Sequence, residues 1–411
     1  MEYAKFEGLK PPYDAVVDFA DSLDAAEALA AEERAHSLLH PQDKFRHLEQ
    51  YVAIVPVAAH EETPETVSHA VQQYARQIKS EPFTLVIGLN WPHDTEQPQR
   101  AHALVKHTRA LARDMRGTLD MRVLSGQYID PTIGRIRRDL WNAVLVAGLE
   151  SGTIRPGIET VGMNGDIDVV HMPRWTVAAI QKAMHKELDP HEKGHDYMPA
   201  WPRPVPMRHS ASPAHPNSSS VMVWSDWLSR LEHVSYEASM VISMGRYALH
   251  GGIAPDAVSN EVLDIHDAAA AHPLGKTYVP TASIVTSGRR YMWRLLEGGL
   301  DEIWGEGNFG ANSVYRHDIN QFPDISKERQ VELISGTGSR VMNAAAQSVW
   351  QGMTQGKYDL NMRFKEFRRT VRHTLMFAER MLPRVVGEEW QHEEPFSTVR
   401  KLYEAGYPGS S

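Results

Sequence analysis

Apolar residues along this chain follow two rhythms, and the change between them falls at Tyr51. Residues 15–50 set Ala25, Ala26, Ala28, Leu29, Ala30 and Ala31 among acidic residues at helical spacing, which predicts an N-terminal helical segment. Residues 51–59 (Tyr-Val-Ala-Ile-Val-Pro-Val-Ala-Ala) carry no charge, as expected of a strand buried on both faces of a parallel sheet. Thr63 then reads as an N-cap with Pro64 in the first helical position and Glu65 in the first turn, opening a helix to about residue 79. A second strand is predicted over 83–89, a loop over 90–94, a helix over 98–115 and a third strand over 119–124. This βαβαβ order implies a right-handed, doubly wound sheet that binds ligands at the carboxyl ends of its strands.

Further on, Ile133-Gly134-Arg135-Ile136-Arg137-Arg138 reads as a basic turn opening an apolar helix to about residue 148, with a fourth strand near 158–163. Residues 199–220 hold so many prolines that they are expected to be a linker or mobile loop without regular structure. Helical rhythm resumes over 224–249 and breaks at Gly251-Gly252. A strand over 279–287, a helix around 291–296, a helical stretch over 327–384 and a tail complete the chain, with no internal repeat.

The chemistry concentrates where strand four ends, in Gly162-Met163-Asn164-Gly165-Asp166-Ile167-Asp168. Alternation along an extended segment points Asp166 and Asp168 the same way. Two converging carboxylates supply hard oxygen ligands suited to Mg²⁺ or Mn²⁺, most naturally shared with a diphosphate; the plainer alternative is a solvated polar turn. Arg135, Arg137 and Arg138 are phosphate-binding candidates or a solvated basic turn, and Arg289 and Arg290 invite the same reading after the strand at 279–287. His185, His191 and His195 have zinc-like spacing but no metalloprotease frame, and read as surface residues of a lid. Residues 334–338 read as a glycine-rich turn, and the basic amphipathic helix at 364–375 as a packed helix with a solvated cationic face.

Composition narrows the field without choosing a function. The 411 residues, 42% hydrophobic and 23% charged, are those of an ordinary globular protein of one large domain or two. A net charge of −9 argues against a surface wholly devoted to nucleic acid. The absence of cysteine removes disulfides, thiolate zinc sites and a cysteine nucleophile, and fits a reducing compartment. No apolar leader and no run of about 18 apolar residues is evident, so the expected location is cytoplasmic, with no membrane span.

Taken in order, these segments resemble the GT-A fold nucleotide-sugar glycosyltransferases, especially the mostly inverting family 2 type, over residues 51–290. Residues 52–62 look like that family's opening Ile-Pro-x-x-Asn-Glu element, with His60 in place of Asn. The stretch 133–138 with Asn142 resembles its Gly-Lys-x-x-x-x-Asn element, and Asp166-Ile167-Asp168 its metal-binding Asp-X-Asp. Gly251-Gly252 followed by Ser259-Asn260-Glu261-Val262-Leu263-Asp264 looks like its Gly-Gly and Glu-Asp pair. Asn90 stands where the family usually carries a base-binding Asp, and the usual Gln-x-x-Arg-Trp acceptor segment is not evident.

The resemblance implies an α/β GT-A architecture, a doubly wound, Rossmann-like mixed sheet flanked by helices, with a helical C-terminal region. Expected divisions are an N-terminal helical segment 1–50, a catalytic domain 51–300 and a C-terminal extension 301–411. It implies a metal-dependent hexosyltransferase using a UDP- or GDP-linked sugar and Mn²⁺ or Mg²⁺. Donor-binding positions would be Pro56, Val57, Ala58, His60, Glu61, Asn90, Gly134, Arg135, Arg138, Asp166 and Arg289. Asp166 and Asp168 would be metal ligands, with Asp168 the direct one. Glu261 would be the general base of an inverting reaction, with Asp264 in reserve; the plainer reading makes Glu261 an exposed helix-start carboxylate after an N-cap at Ser259. A soluble acceptor is the more natural partner, nucleic acid stays open because the 199–220 loop and the Arg-rich turns could line a groove, and a homodimer is compatible. A sugar-nucleotide nucleotidyltransferase, or a non-catalytic nucleotide-sugar-binding protein on the same sheet, are the competing readings.

Overall fold

Eight strands and seven helices occur among the residues that the computed structural model describes: 11–41, 44–129, 132–188, 207–212, 240–256 and 279–287. Apart from residues 210–212 and 287, these belong to one compact unit, Met1–His209 with Ser235–Thr286; a second unit comprises Ser210–Val234 and Ser287–Ser411.

The unit is built on strand β1 (Tyr51–Ala58). It pairs in parallel with β2 (Phe83–Pro92) on one side, Tyr51 opposite Phe83, and with β4 (Val161–Asn164) on the other, Tyr51 opposite Val161. Outside β2 lies β3 (Asp120–Tyr128), also parallel; outside β4 lies β7 (Val241–Ser243), antiparallel. The order is β3-β2-β1-β4-β7. This is the doubly wound mixed sheet expected of the chain.

Both faces of the sheet are covered, which is why β1 has no polar alternation. Tyr51, Ala53, Val55 and Val57 enter one core with α3 (Pro64–Ala75), α4 (Pro98–Asp114) and α6 (Thr176–Leu188). Val52 and Ile54 enter the other, with α1 (Pro12–Ser22), α2 (Ala25–Leu39), α5 (Ile133–Glu150) and α7 (Met244–Leu249). Burying each large aliphatic side chain is worth about 1.5–3 kcal/mol, so a fully apolar strand has no stable place at a surface. Helix α5 lies close on β4: a Cβ at Gly162 would stand 2.3 Å from the ring of Trp141, so the indole fills the space glycine leaves.

Local signals act as expected at the helix starts. Thr63 caps α3 by accepting from Thr66 N, with Pro64 in the first turn, and Asp24 caps α2 by accepting from the amides of Ala26 and Glu27. The N-terminal helices are fastened to the sheet by buried Arg122 of β3. Its guanidinium pairs with Asp120 and donates to the carbonyls of Leu38, Arg46 and His47 near the end of α2.

Four expectations change. The basic residues 133–138 are the first turns of α5 itself, not a turn before it, because Thr132 caps the helix by accepting from Arg135 N. The fourth strand begins at Val161, later than expected. Residues 241–243 are a strand and only 244–249 a helix, because Val241 and Ile242 pair with the edge of β4; residues 224–239 lie outside the described residues. The proline-rich stretch does contain a strand, β6 (Met207–Ser212), in the proline-free window between Pro206 and Pro213. A second, three-stranded sheet has the order β5-β8-β6, in which β5 (Val169–His171) runs antiparallel to β8 (Val279–Ser287). The predicted helices at 291–296 and 327–384 fall outside the described residues.

Candidate active site

Crossovers leave β1 and β3 on opposite faces of the sheet, α3 packing with one core and α5 with the other. The chain therefore diverges between the carboxyl ends of the adjacent strands β1 and β4. In open α/β sheets such a switch point is where a ligand crevice forms.

On the β1 side, Pro56, Val57 and Ala58 lead into a turn at 59–61. Proline is tolerated mid-sheet for a topological reason. The Ile54 carbonyl accepts from Gly165 N on the β4 side, and residue 56 faces that side again, where β4 has already ended. The turn is closed by Glu61 N and Glu62 N donating to Ala58 O, and Arg100 of α4 donates to the Glu61 carbonyl at 2.7 Å. His60 Nε2 lies 3.4 Å from Glu61 Oε1. Asn90 is buried, and its side-chain amide donates to Val57 O at 2.9 Å while its main-chain carbonyl accepts from Ala59 N. Its side chain thus ties β2 to the end of β1.

On the β4 side the chain turns through Gly165 and presents the acidic pair. Ile167 is buried in the core while Asp166 and Asp168 on either side of it are half-exposed; residues 167 and 168 form a turn and not the extended segment on which alternation was argued. Gly165 is required by close approach: a Cβ there would stand 2.5 Å from the Tyr74 hydroxyl and 3.0 Å from Val55 Cγ2. Burial raises the Tyr74 hydroxyl pKa, Asp166 raises it further, and Arg137 opposes both.

Arg137 reaches this turn from α5. It is 3% exposed and its guanidinium donates to Asn164 Oδ1 at 2.8 Å, to Gly165 O at 3.2 Å and to Asp166 Oδ1 at 2.6 Å. Trp141 Nε1 donates to the same Asn164 oxygen at 3.4 Å. The end of β4 is therefore braced by α5 on one face and by Tyr74 of α3 on the other.

The other arginines of this stretch point elsewhere. Arg135 pairs with Asp139 at 3.2 Å, and Asp139 also meets Arg34 of α2. Arg138 binds Glu27 through both nitrogens and donates to the carbonyls of Gly251 and Ile253. Gly134 is buried in the first turn, and Asn142 accepts from the Tyr247 hydroxyl at 2.9 Å. Tyr74 was not among the candidates read from the sequence; Arg137 was, as a phosphate contact or a solvated basic residue, whereas its buried pairing with Asp166 was not foreseen. One signal was available for Arg137: it shares the helical spacing of buried Leu140, Trp141 and Val144, so a charge lies on the apolar row of α5.

His185 pairs with Glu81 at 2.8 Å and packs edge-on against Tyr51, which opens β1, placing it by the amino ends of the strands. His191, His195, Glu261, Asp264, Arg289 and Arg290 lie outside the described residues. Among the described residues no three His, Asp or Glu side chains converge as a metal cluster. Asp166 and Asp168 fit a hard divalent cation in donor type, the rest of its shell then coming from phosphate and water. No helix among the described residues is long and apolar enough to cross a membrane.

No protein-family model and no curated protein matches the chain. Among solved structures it is similar to TarS 1-349 of S. aureus, at 11% identity and a TM-score of 0.38 over 84% of this chain and 92% of that one. The same segment of TarS in complex with UDP gives a TM-score of 0.37, with the same identity and coverage. The mannosyltransferase PcManGT from Pyrobaculum calidifontis, in complex with GDP-Man and Mn2+, gives 11% identity and a TM-score of 0.34 over 92% of this chain and 100% of that one. A likeness this distant assigns no function, which has to come from the residues themselves.

Proposed function

We propose that the chain is a metal-dependent glycosyltransferase that moves a sugar from a nucleoside diphosphate donor to a soluble acceptor. The observation that carries this is the placement of Asp166 and Asp168, half-exposed, at the carboxyl end of β4 beside that of β1, at the switch point of a doubly wound sheet. There the two carboxylates would hold Mn²⁺ or Mg²⁺, which when bound neutralises the departing diphosphate. The turn at His60 and Glu61, with the end of β1, would form the wall against the nucleoside. Glu261 is the proposed general base for the acceptor hydroxyl in an inverting reaction, with Asp264, three residues on, in reserve.

Calorimetric titration with UDP and then GDP, each with and without Mn²⁺, on wild type and on Asp168→Asn, tests the proposal. One nucleotide should bind only with the cation, and the variant should lose that binding. If neither nucleotide binds under any condition, the proposal fails.

A further inference from the structure

We infer that Arg137 is a positioning residue that makes cation binding at the acidic pair depend on the incoming diphosphate. The inference rests on the transferase reading and deepens it. Arg137 is buried, it is anchored at two neutral acceptors, Asn164 Oδ1 and Gly165 O, and it places one nitrogen 2.6 Å from Asp166 Oδ1. That is a short charge-assisted bond, on a guanidinium whose other contacts hold it still. The two carboxylates and one guanidinium together leave a single net negative charge where the cation binds. A divalent ion alone would meet a half-neutralised pair, with Asp166 already engaged by a fixed cation. A diphosphate supplies the missing anionic oxygens, so ion and nucleotide bind as a unit.

Chain connectivity supports a dedicated role. Arg137 occupies the apolar row of α5, where an aliphatic residue would pack at no desolvation cost. A guanidinium there would be costly without the Asp166 and Asn164 contacts. The same row places Trp141 against Asn164 and Gly162, so the helix, the strand end and the acidic turn are set by one packing arrangement.

The test reads the affinity for Mn²⁺ alone, by electron paramagnetic resonance of the full chain without nucleotide. Arg137→Gln, which keeps hydrogen bonding but removes the charge, should bind free Mn²⁺ on the order of tenfold more tightly than wild type. Arg137→Lys keeps the charge and should stay close to wild type. Adding Asp166→Asn to Arg137→Gln should cancel the gain. A merely structural Arg137 would weaken cation binding when replaced, never strengthen it, so unchanged or weaker binding in a folded Arg137→Gln overturns the inference. If that variant does not fold, Asp166→Asn alone decides. It should weaken free-cation binding less than Asp168→Asn does, because Arg137 already neutralises much of the Asp166 charge, and equal losses overturn the inference. Failure of wild type to bind either nucleotide with Mn²⁺ counts against the transferase reading instead, which the free-cation comparison does not depend on.

Discussion

The Tyr74 hydroxyl lies 2.5 Å from where a Cβ on Gly165 would stand, so α3 and the acidic turn meet with no room for one more carbon. Gly165→Ala should therefore cost about 1–3 kcal/mol through overpacking. Removing the hydroxyl leaves Val55 Cγ2, at 3.0 Å, as the nearest obstacle. Tyr74→Phe should then recover part of the loss in the double variant. Urea unfolding of the two single variants and the pair checks this; additive costs would place the strain elsewhere.

Asn90 binds the main chain at the end of β1, donating to the Val57 carbonyl from a buried position. Asn90→Ala removes that side-chain bond from a carbonyl that keeps its β1–β2 ladder partner, and should cost about 0.5–1.5 kcal/mol. Asn90→Asp should cost more at pH 7, because a buried carboxylate faces a carbonyl. The excess should shrink towards pH 4, where the protonated acid can donate. Unfolding of both variants at the two pH values decides; a constant difference would mean that the side chain is solvated.

Burial raises Glu159, just before β4, to about 7 from 4.5, against the opposing pull of Ser243, the Gly245 amide and Arg246. The folded protein thus holds this proton where the unfolded chain has released it. Its contribution to stability is fully present below the unfolded value and is lost as pH rises from about 4.5 to about 7. The whole span is worth about 3 kcal/mol, at roughly 1.4 kcal/mol per pH unit. Glu159→Gln should flatten the stability profile over that interval, and a variant whose profile parallels wild type would contradict the assignment.

Arg138 clamps α2 to α5 through Glu27 at 2.9 Å and also holds the carbonyls of Gly251 and Ile253. A double-mutant cycle on Glu27→Ala and Arg138→Ala should give a coupling of about 1–2 kcal/mol. Arg138→Ala should be the more damaging single change, since it alone releases those two carbonyls. Equal single costs would show that only the ion pair matters. If Arg138 instead contacts donor phosphate, its loss should weaken nucleotide affinity beyond any stability effect.

Much of the framework was legible along the chain because it depends on neighbours in sequence. The uncharged run at 51–59 reads as a strand covered on both faces, and Thr63 with Pro64 reads as a helix start; both form as expected. The run at 279–287 forms β8 over the expected residues. The acidic pair could be placed at a strand end because it follows directly on the predicted fourth strand. Less legible were β6 and β7, each a short stretch whose pairing partner lies far away in sequence. Three or six residues of modest β-propensity become a strand only when a distant edge offers them hydrogen bonds.

Residue types and local spacing by themselves determined the layered α/β sheet, its helix starts and the position of Asp166 and Asp168 at the end of a strand. Tertiary structure alone decided which arginine meets them. Arg135, Arg137 and Arg138 are equivalent in charge and adjacent in the chain, but a helix turns about 100° per residue. Only packing α5 against β4, through Trp141 and the gap at Gly162, turned Arg137 towards Asp166 and sent the other two to Asp139 and Glu27.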